Sequence, residues 1–264
     1  MVEGRLMAAG FRERLRAGAP LVGVWVKTPS HIVAEVLGQT SLDCVCLDAE
    51  HAPFDRMAID ASIAALRAAS MPGLVRVPHL SADHVLNALD CGAAGVVAPH
   101  VKSREEAEAL AAMCRYQAGG RGYAGSSRAA DYTTSSMAAN LDRAATETTI
   151  IAQIEDLDAV DAIDDILGVD GIDCFFIGRI DLTVALGAAS PNDQAVIDAV
   201  EKVCRAGRAA DKRIGMFVSD LEEIPQWINQ GASFFALKSD HTFLLEGARA
   251  LRGQFDQLTG AGTS

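Results

Sequence analysis

Three short stretches of this 264-residue chain carry side chains that could do chemistry together. The first is Asp48-Ala49-Glu50-His51, which directly follows the apolar run Cys44-Val45-Cys46-Leu47. It delivers two carboxylates and an imidazole at the C-terminal end of an expected strand. The second and third are Gln153-Ile154-Glu155 and Gly178-Arg179-Ile180-Asp181, each also at an expected strand end. A histidine beside acidic groups can act as a general base near neutral pH. Two carboxylates completed by waters and substrate oxygens suit an octahedral magnesium or manganese ion, so Glu155 and Asp181 are the candidate metal ligands. Arg76 is the one charged residue of the run Leu74-Val75-Arg76-Val77. An arginine inside a strand needs partners, which a substrate oxygen and a neighbouring carboxylate would supply.

Taken singly, each of these residues has a plainer reading. Asp and Ser at strand ends are favoured helix caps, which would account for Asp181 and for Glu155 or Asp156. His51 could be a hydrogen-bonded loop histidine, and Arg76 a structural ion pair at the mouth of a barrel. What favours chemistry is that so many strand ends carry such groups. They run from Lys27, Asp48, Glu50 and His51 through Arg76, Gln153, Glu155 and Asp181 to Ser219, Asp220, Lys238, Ser239 and Asp240.

The elements that must position these groups follow from the apolar pattern. Eight short apolar runs begin at Leu21, Cys44, Leu74, Gly95, Thr149, Ile172, Ile214 and Phe234, with helical spacing in nearly all the intervals. Continuous rather than alternating apolar strands fit a parallel sheet buried on both faces. The length and the βα repeat predict one (β/α)8 TIM barrel over residues 1–264, with an open doubly wound sheet as the alternative layout. No Gly-x-Gly-x-x-Gly follows a strand, which weakens a dinucleotide-binding reading. A short helix over residues 5–16 precedes the first strand, with Arg12, Arg14 and Arg16 at polar positions, and residues 260–264 read as a frayed tail. Ser103 and Glu106 form a capping box. The stretch from Gly119 to about Ser136 is the longest irregular region, and loops of that length are often functional.

The formal net charge of −12 argues against a nucleic-acid or anionic-membrane partner. Half of the residues are hydrophobic, yet no apolar run approaches a membrane span. Six cysteines without a CxxC pair or zinc-type spacing, and the lack of a secretory leader pattern, give a reducing cytoplasm as the expected location. Asp90, at the end of the helix after the third strand, should lie on the N-terminal face of the barrel. The same topology applies to Arg121, so either residue could act only in a neighbouring subunit's site.

The sequence resembles the HpcH/HpaI family of class II pyruvate aldolases. The matching stretches are Gly23-Val24-Trp25-Val26-Lys27, Asp48 to Pro53, Val75-Arg76-Val77-Pro78, Ala88 to Ala93, Arg121-Gly122, Gln153-Ile154-Glu155 and Gly178 to Thr183. They stand in family order and cover nearly the whole chain. The resemblance implies a (β/α)8 barrel in which Glu155 and Asp181 ligate a divalent metal (magnesium, manganese or cobalt) and pyruvate or its enolate chelates it. His51, oriented by Asp48 or Asp90, would assist proton transfer, and Arg76 would stabilise the enolate oxygen. Trp25, Gln153, Arg121 and Ile180 would contact substrate. Homo-oligomers, hexamers built from trimers, are implied, with the last helix packed on a partner.

The implied reaction is reversible cleavage of a 4-hydroxy-2-oxo acid to pyruvate, or a close 2-oxo acid, and an aldehyde. A Schiff-base route through Lys27 or Lys238 stays formally open. The other readings are a lyase for a citramalyl- or malyl-CoA type thioester and a non-catalytic metabolite-binding barrel. Two family runs are altered here. A Pro-Pro-x-Gly-x-Arg-Gly run becomes Gln117-Ala118-Gly119-Gly120-Arg121-Gly122, and a Gly-Pro-x-Asp-Leu run becomes Gly178-Arg179-Ile180-Asp181-Leu182. His79 and His100, just past the third and fourth strands, either shape aldehyde specificity or are solvated loop residues.

Overall fold

A computed structural model describes residues 9–260. Eight parallel strands close into a barrel in sequence order. They are β1 (Leu21–Val26), β2 (Cys44–Asp48), β3 (Gly73–Arg76), β4 (Gly95–Ala98), β5 (Thr149–Ile154), β6 (Cys174–Ile177), β7 (Ile214–Met216) and β8 (Ala232–Ser239). The barrel replaces the open-sheet alternative, because β1 pairs with both β2 and β8 and leaves no edge.

Side chains of alternate residues fill the interior. Leu21, Cys44, Leu74, Val97, Ile151, Cys174, Phe176 and Phe234 form one buried cluster with Phe11 and Leu15 of the helix Ala9–Arg16. That helix stoppers the N-terminal end of the barrel. Its Arg12, expected at a polar position, is buried: Nε lies 2.9 Å from Asp173 Oδ2, and Nη1 donates to the carbonyls of Ala145 and Thr146. Residues 5–8 of the expected helix, and all of the expected tail except Gly260, lie outside the described residues. A second and larger cluster of aliphatic side chains fills the layer between barrel and helices.

The two-residue period of a strand decides which face each functional residue meets. Cys46 and Leu74 face inward, so Asp48 and Arg76, two residues on, do as well, and these two are register partners. By the same parity Ile151 carries Gln153 inward, opposite Phe176. These positions form the layer at the C-terminal mouth, where (β/α)8 enzymes keep their chemistry.

Ser103 accepts from the Glu106 N–H at 3.3 Å, as the capping box requires. The returning arm is offset by one residue, since Glu106 Oε2 takes the N–H of Lys102 at 2.6 Å. The irregular stretch contains a short 3-10 segment, Arg128–Thr133, with Asp131, Tyr132 and Thr133 all at positive φ. Arg143 Nη1 holds the Asp131 carboxylate there at 2.7 Å.

Candidate active site

At the C-terminal mouth a pocket of about 320 Å³ is lined by residues that include Trp25, Lys27, His51, Arg76, Gln153, Ile180 and Asp181. Five separated stretches of chemistry-bearing sequence thus meet at one opening. Beneath it, Trp25 packs edge-on against Phe176 with ring centroids 5.8 Å apart and donates its indole N–H to the Ala236 carbonyl. An apolar floor of this kind lowers the local dielectric and strengthens each polar contact above it.

Arg76 is held on three sides. Its Nε donates to Asp48 Oδ1 at 3.0 Å, its Nη2 lies 2.9 Å from Asp48 Oδ2, and its guanidinium stacks over Trp25 with Cζ 4.4 Å from the ring centroid. Asp48 is fully buried. Burial alone would raise its pKa, but the charge of Arg76, the His51 N–H and the charge of Lys27 together hold the carboxyl below its ordinary range. Lys27 Nζ stands 3.2 Å from Asp48 Oδ2, and Lys238 Nζ is taken by Glu246 at 2.8 Å. Both lysines at the mouth are therefore engaged in ion pairs.

The surroundings of His51 differ from those the family pattern implies. Asp48 accepts the backbone N–H of His51 at 3.1 Å, whereas the imidazole Nε2 is 3.8 Å from Glu50 Oε2. Asp48 thus fixes the turn that carries His51, and Glu50 is the carboxylate near its ring.

Glu155 directly follows β5 and is only 2% exposed. Its Oε1 accepts the backbone N–H of His100 at 2.9 Å, and its Oε2 accepts from the Gln153 amide. Burial pushes its pKa up to about 7; the two hydrogen bonds oppose that shift and the nearby charge of Asp181 adds to it. Gly178 makes room for this carboxylate, because a Cβ there would come within 2.6 Å of Glu155 Oε2. Gln153 Oε1 is buried without a hydrogen-bond partner. A desolvated carboxylate, a second carboxylate close enough to repel it and an unpartnered amide oxygen fit a hard divalent cation.

The mouth also holds residues that the strand-end pattern left open. Among the described residues Glu50, His100 and Glu155 bring ligand atoms within 4.8 Å of one another. His100 Nδ1 lies 2.9 Å from Asp156 Oδ2 and its Nε2 lies 3.5 Å from Glu50 Oε1. Burial disfavours its protonated form, but Asp156, Glu155 and Glu50 outweigh that and hold its pKa above the ordinary value. A signal was present in Pro99-His100, a strand-end histidine one strand before Glu155, but sequence alone does not reveal that the two meet.

Other strand-end groups serve the backbone. Asp240 takes the N–H groups of Lys27 and Thr28 at 2.8 and 3.1 Å, and Asp220 takes that of Glu222 at 2.9 Å. The Arg179 side chain turns away into a buried lock, with Nη1 on Glu223 at 2.7 Å and Cζ 5.1 Å from the centre of the Trp227 ring. His79 meets His84 edge-on, with centroids 4.8 Å apart. Asp90 and Arg121 are not brought into the pocket: Arg121 Nη2 donates to Asp90 Oδ1 at 2.5 Å, and Arg121 lines a separate cavity of about 70 Å³ at the N-terminal end.

Comparison with known proteins agrees with this geometry. The profile of the HpcH/HpaI aldolase/citrate lyase family matches residues 21–246. A hydroxypyruvate/pyruvate aldolase of Pseudomonas aeruginosa is 32% identical over 252 residues, which cover 93% of this chain and 92% of that one. A 4-hydroxy-2-oxo-heptane-1,7-dioate aldolase of Salmonella arizonae is 30% identical over 259 residues, covering 97% and 98%. A solved structure of a family protein from Burkholderia cenocepacia superposes with a TM-score of 0.88 at 29% identity, covering 94% of this chain and 99% of that one. With barrel, pocket and relatives in agreement, the chain belongs to the HpcH/HpaI aldolase/citrate lyase family, and it is a carbon–carbon lyase of the aldolase kind.

Proposed function

We propose that the barrel is a single catalytic domain that reversibly cleaves a 4-hydroxy-2-oxo acid to pyruvate, or a close 2-oxo acid, and an aldehyde, with a divalent metal ion as cofactor. The observation that carries this reading is the pairing of two opposite devices in one pocket. Glu155 with Asp181 forms an acidic wall suited to a cation, and Arg76 offers a fixed cation across from it.

A magnesium, manganese or cobalt ion held by Glu155 and Asp181 would supply Lewis acidity at the 2-oxo group. Arg76 meets the oxygen that becomes negative when the carbon–carbon bond breaks. Its guanidinium is already desolvated and clamped by Asp48 and Trp25, so little reorganisation is needed as charge develops. His51 takes the proton of the 4-hydroxyl in cleavage and returns it in synthesis, and Glu50 offsets the charge that the ring gains. Gln153 and Ile180 at the pocket wall orient the 2-oxo acid, with Trp25 as its floor. Asp90 and Arg121, at the far end of the barrel, reach a site only across a contact between subunits.

A homo-oligomer, a trimer or hexamer, is part of the same reading. The helix Asp240–Thr259 leaves Leu244, Leu251, Phe255 and Leu258 exposed, the last two at 53% and 88%, an apolar row that a second copy would cover. Six buried free cysteines suit a reducing cytoplasm, and no described helix is long and apolar enough to cross a membrane. A CoA-thioester substrate would require free cations at the mouth for its phosphates, but Lys27, Lys102 and Lys238 are each paired with a carboxylate.

The reading is tested by following pyruvate release from synthetic 4-hydroxy-2-oxo acids by NMR, with metal-stripped and metal-reloaded protein. Release with at least one such acid in the reloaded protein alone is the expected result. Release from a malyl-type thioester and from no 2-oxo acid would replace the reading.

A further inference from the structure

Three features at the mouth have no part in cleavage as described: the backbone of His100, its imidazole and the outer oxygen of Glu50. His100 has φ +54, a left-handed conformation that a side chain with a Cβ enters at a cost of about 1–2 kcal/mol. That conformation secures two contacts at once. The backbone N–H reaches Glu155 Oε1 at 2.9 Å, and the ring Nδ1 reaches Asp156 Oδ2 at 2.9 Å.

A carboxylate on one ring nitrogen fixes the tautomer and frees the other nitrogen as a donor of its lone pair; metal-ligating histidines are held in this way. The other nitrogen, Nε2, faces Glu50 Oε1 at 3.5 Å. A lone pair and a carboxylate oxygen at that separation repel unless a cation or proton lies between them. Glu50 is largely desolvated, its side chain 9% exposed, and its Oε2 accepts no hydrogen bond even though Arg76 Nε is 3.2 Å away, because that N–H is spent on Asp48.

We propose that His100, backed by Asp156 and faced by Glu50, is an imidazole ligand to the divalent ion that Glu155 holds, and that it biases the site from magnesium towards manganese, cobalt or a similar transition ion. This rests on the metal-dependent reading above. Glu155 and Asp181 alone offer only oxygen, which magnesium accepts, whereas imidazole nitrogen suits transition ions and does little for magnesium.

The test uses the metal-stripped full-length protein. Loaded with manganese, it should show nitrogen coupling in pulsed electron paramagnetic resonance. The coupling should persist in His51→Ala and vanish in His100→Ala. In equilibrium titrations, His100→Ala should weaken cobalt binding by more than about tenfold and magnesium binding by less than about threefold, with Asp156→Asn between wild type and His100→Ala for cobalt. The coupling experiment on the wild-type protein does not depend on any variant folding.

Absent coupling, or coupling lost in His51→Ala and kept in His100→Ala, overturns the inference. It would leave His100 paired with its carboxylates and away from the ion. In that case manganese binding that is still abolished by Glu155→Gln keeps the metal-dependent reading intact. Failure of the wild-type protein to bind either ion overturns both.

Discussion

Asp48 and Arg76 are register partners on adjacent strands, and both oxygens of the one meet nitrogens of the other, Oδ1 with Nε at 3.0 Å and Oδ2 with Nη2 at 2.9 Å. One charge-assisted hydrogen bond and a second ion contact, together with the Trp25 ring beneath, hold the guanidinium in place at the pocket. Arg76→Lys keeps the charge and loses the fork, so it should lower kcat by about 100- to 1000-fold while circular dichroism stays unchanged. Asp48→Asn strands a buried arginine and should also destabilise the fold, by about 3–5 kcal/mol in denaturant titrations. Wild-type-like kcat in Arg76→Lys would mean that the guanidinium does not meet the reacting oxygen.

Gly178 is needed for space rather than for a turn. The added methyl of Gly178→Ala would press on the Glu155 carboxylate at 2.6 Å. Metal affinity should fall by about tenfold or more in calorimetric titration, with the fold retained, because the obstacle is one side chain, Glu155, met at Oε2 and at Cβ (2.7 Å). Unchanged affinity would place the ion elsewhere.

Glu155 gives the metal-free protein a defined response to pH. With its pKa raised to about 7, the folded chain holds a proton there that the unfolded chain has released. The associated stability is present below the ordinary glutamate range and is lost as pH rises through about 7. A metal ion must displace that proton, so binding in weak buffer should release more protons per ion at pH 6 than at pH 8. Glu155→Gln should abolish both the binding and the release. Equal release at the two pH values would show that another group titrates.

His51→Ala separates proton transfer from binding. If the imidazole moves the 4-hydroxyl proton, kcat should drop by about 100-fold or more while the KM for pyruvate in the synthetic direction changes little. A parallel loss in both parameters would make His51 a binding residue.

The barrel and the strand-end residues were legible because each rests on a short-range signal. Apolar runs such as Gly95–Ala98 cannot be solvated on either face, and the parity from Cys46 to Asp48 or from Ile151 to Gln153 then follows from strand geometry. Contacts set by the third dimension were not legible. Arg12 reads as a surface residue of an amphipathic helix until Asp173, 161 positions away, accepts its Nε. Arg179 stands beside the metal candidate Asp181 in sequence, yet its side chain leaves for Glu223 and Trp227. His100 reads as a loop residue because nothing local announces a left-handed backbone that aims its ring at Asp156. The pairing of Asp90 with Arg121 was likewise hidden, although the βα topology correctly put both at the N-terminal end.

The central claim is that the pocket generates a pyruvate enolate with the help of a divalent ion. It is tested most directly by exchange of the pyruvate methyl protons in deuterated water, followed by NMR, since this half-reaction needs no knowledge of the aldehyde. Metal-stripped protein should leave the methyl signal intact, and addition of magnesium, manganese or cobalt should make it decay, with Glu155→Gln inactive throughout. Exchange by the metal-stripped protein, accompanied by borohydride trapping of pyruvate on Lys27 or Lys238, would contradict the account and assign the chemistry to a lysine.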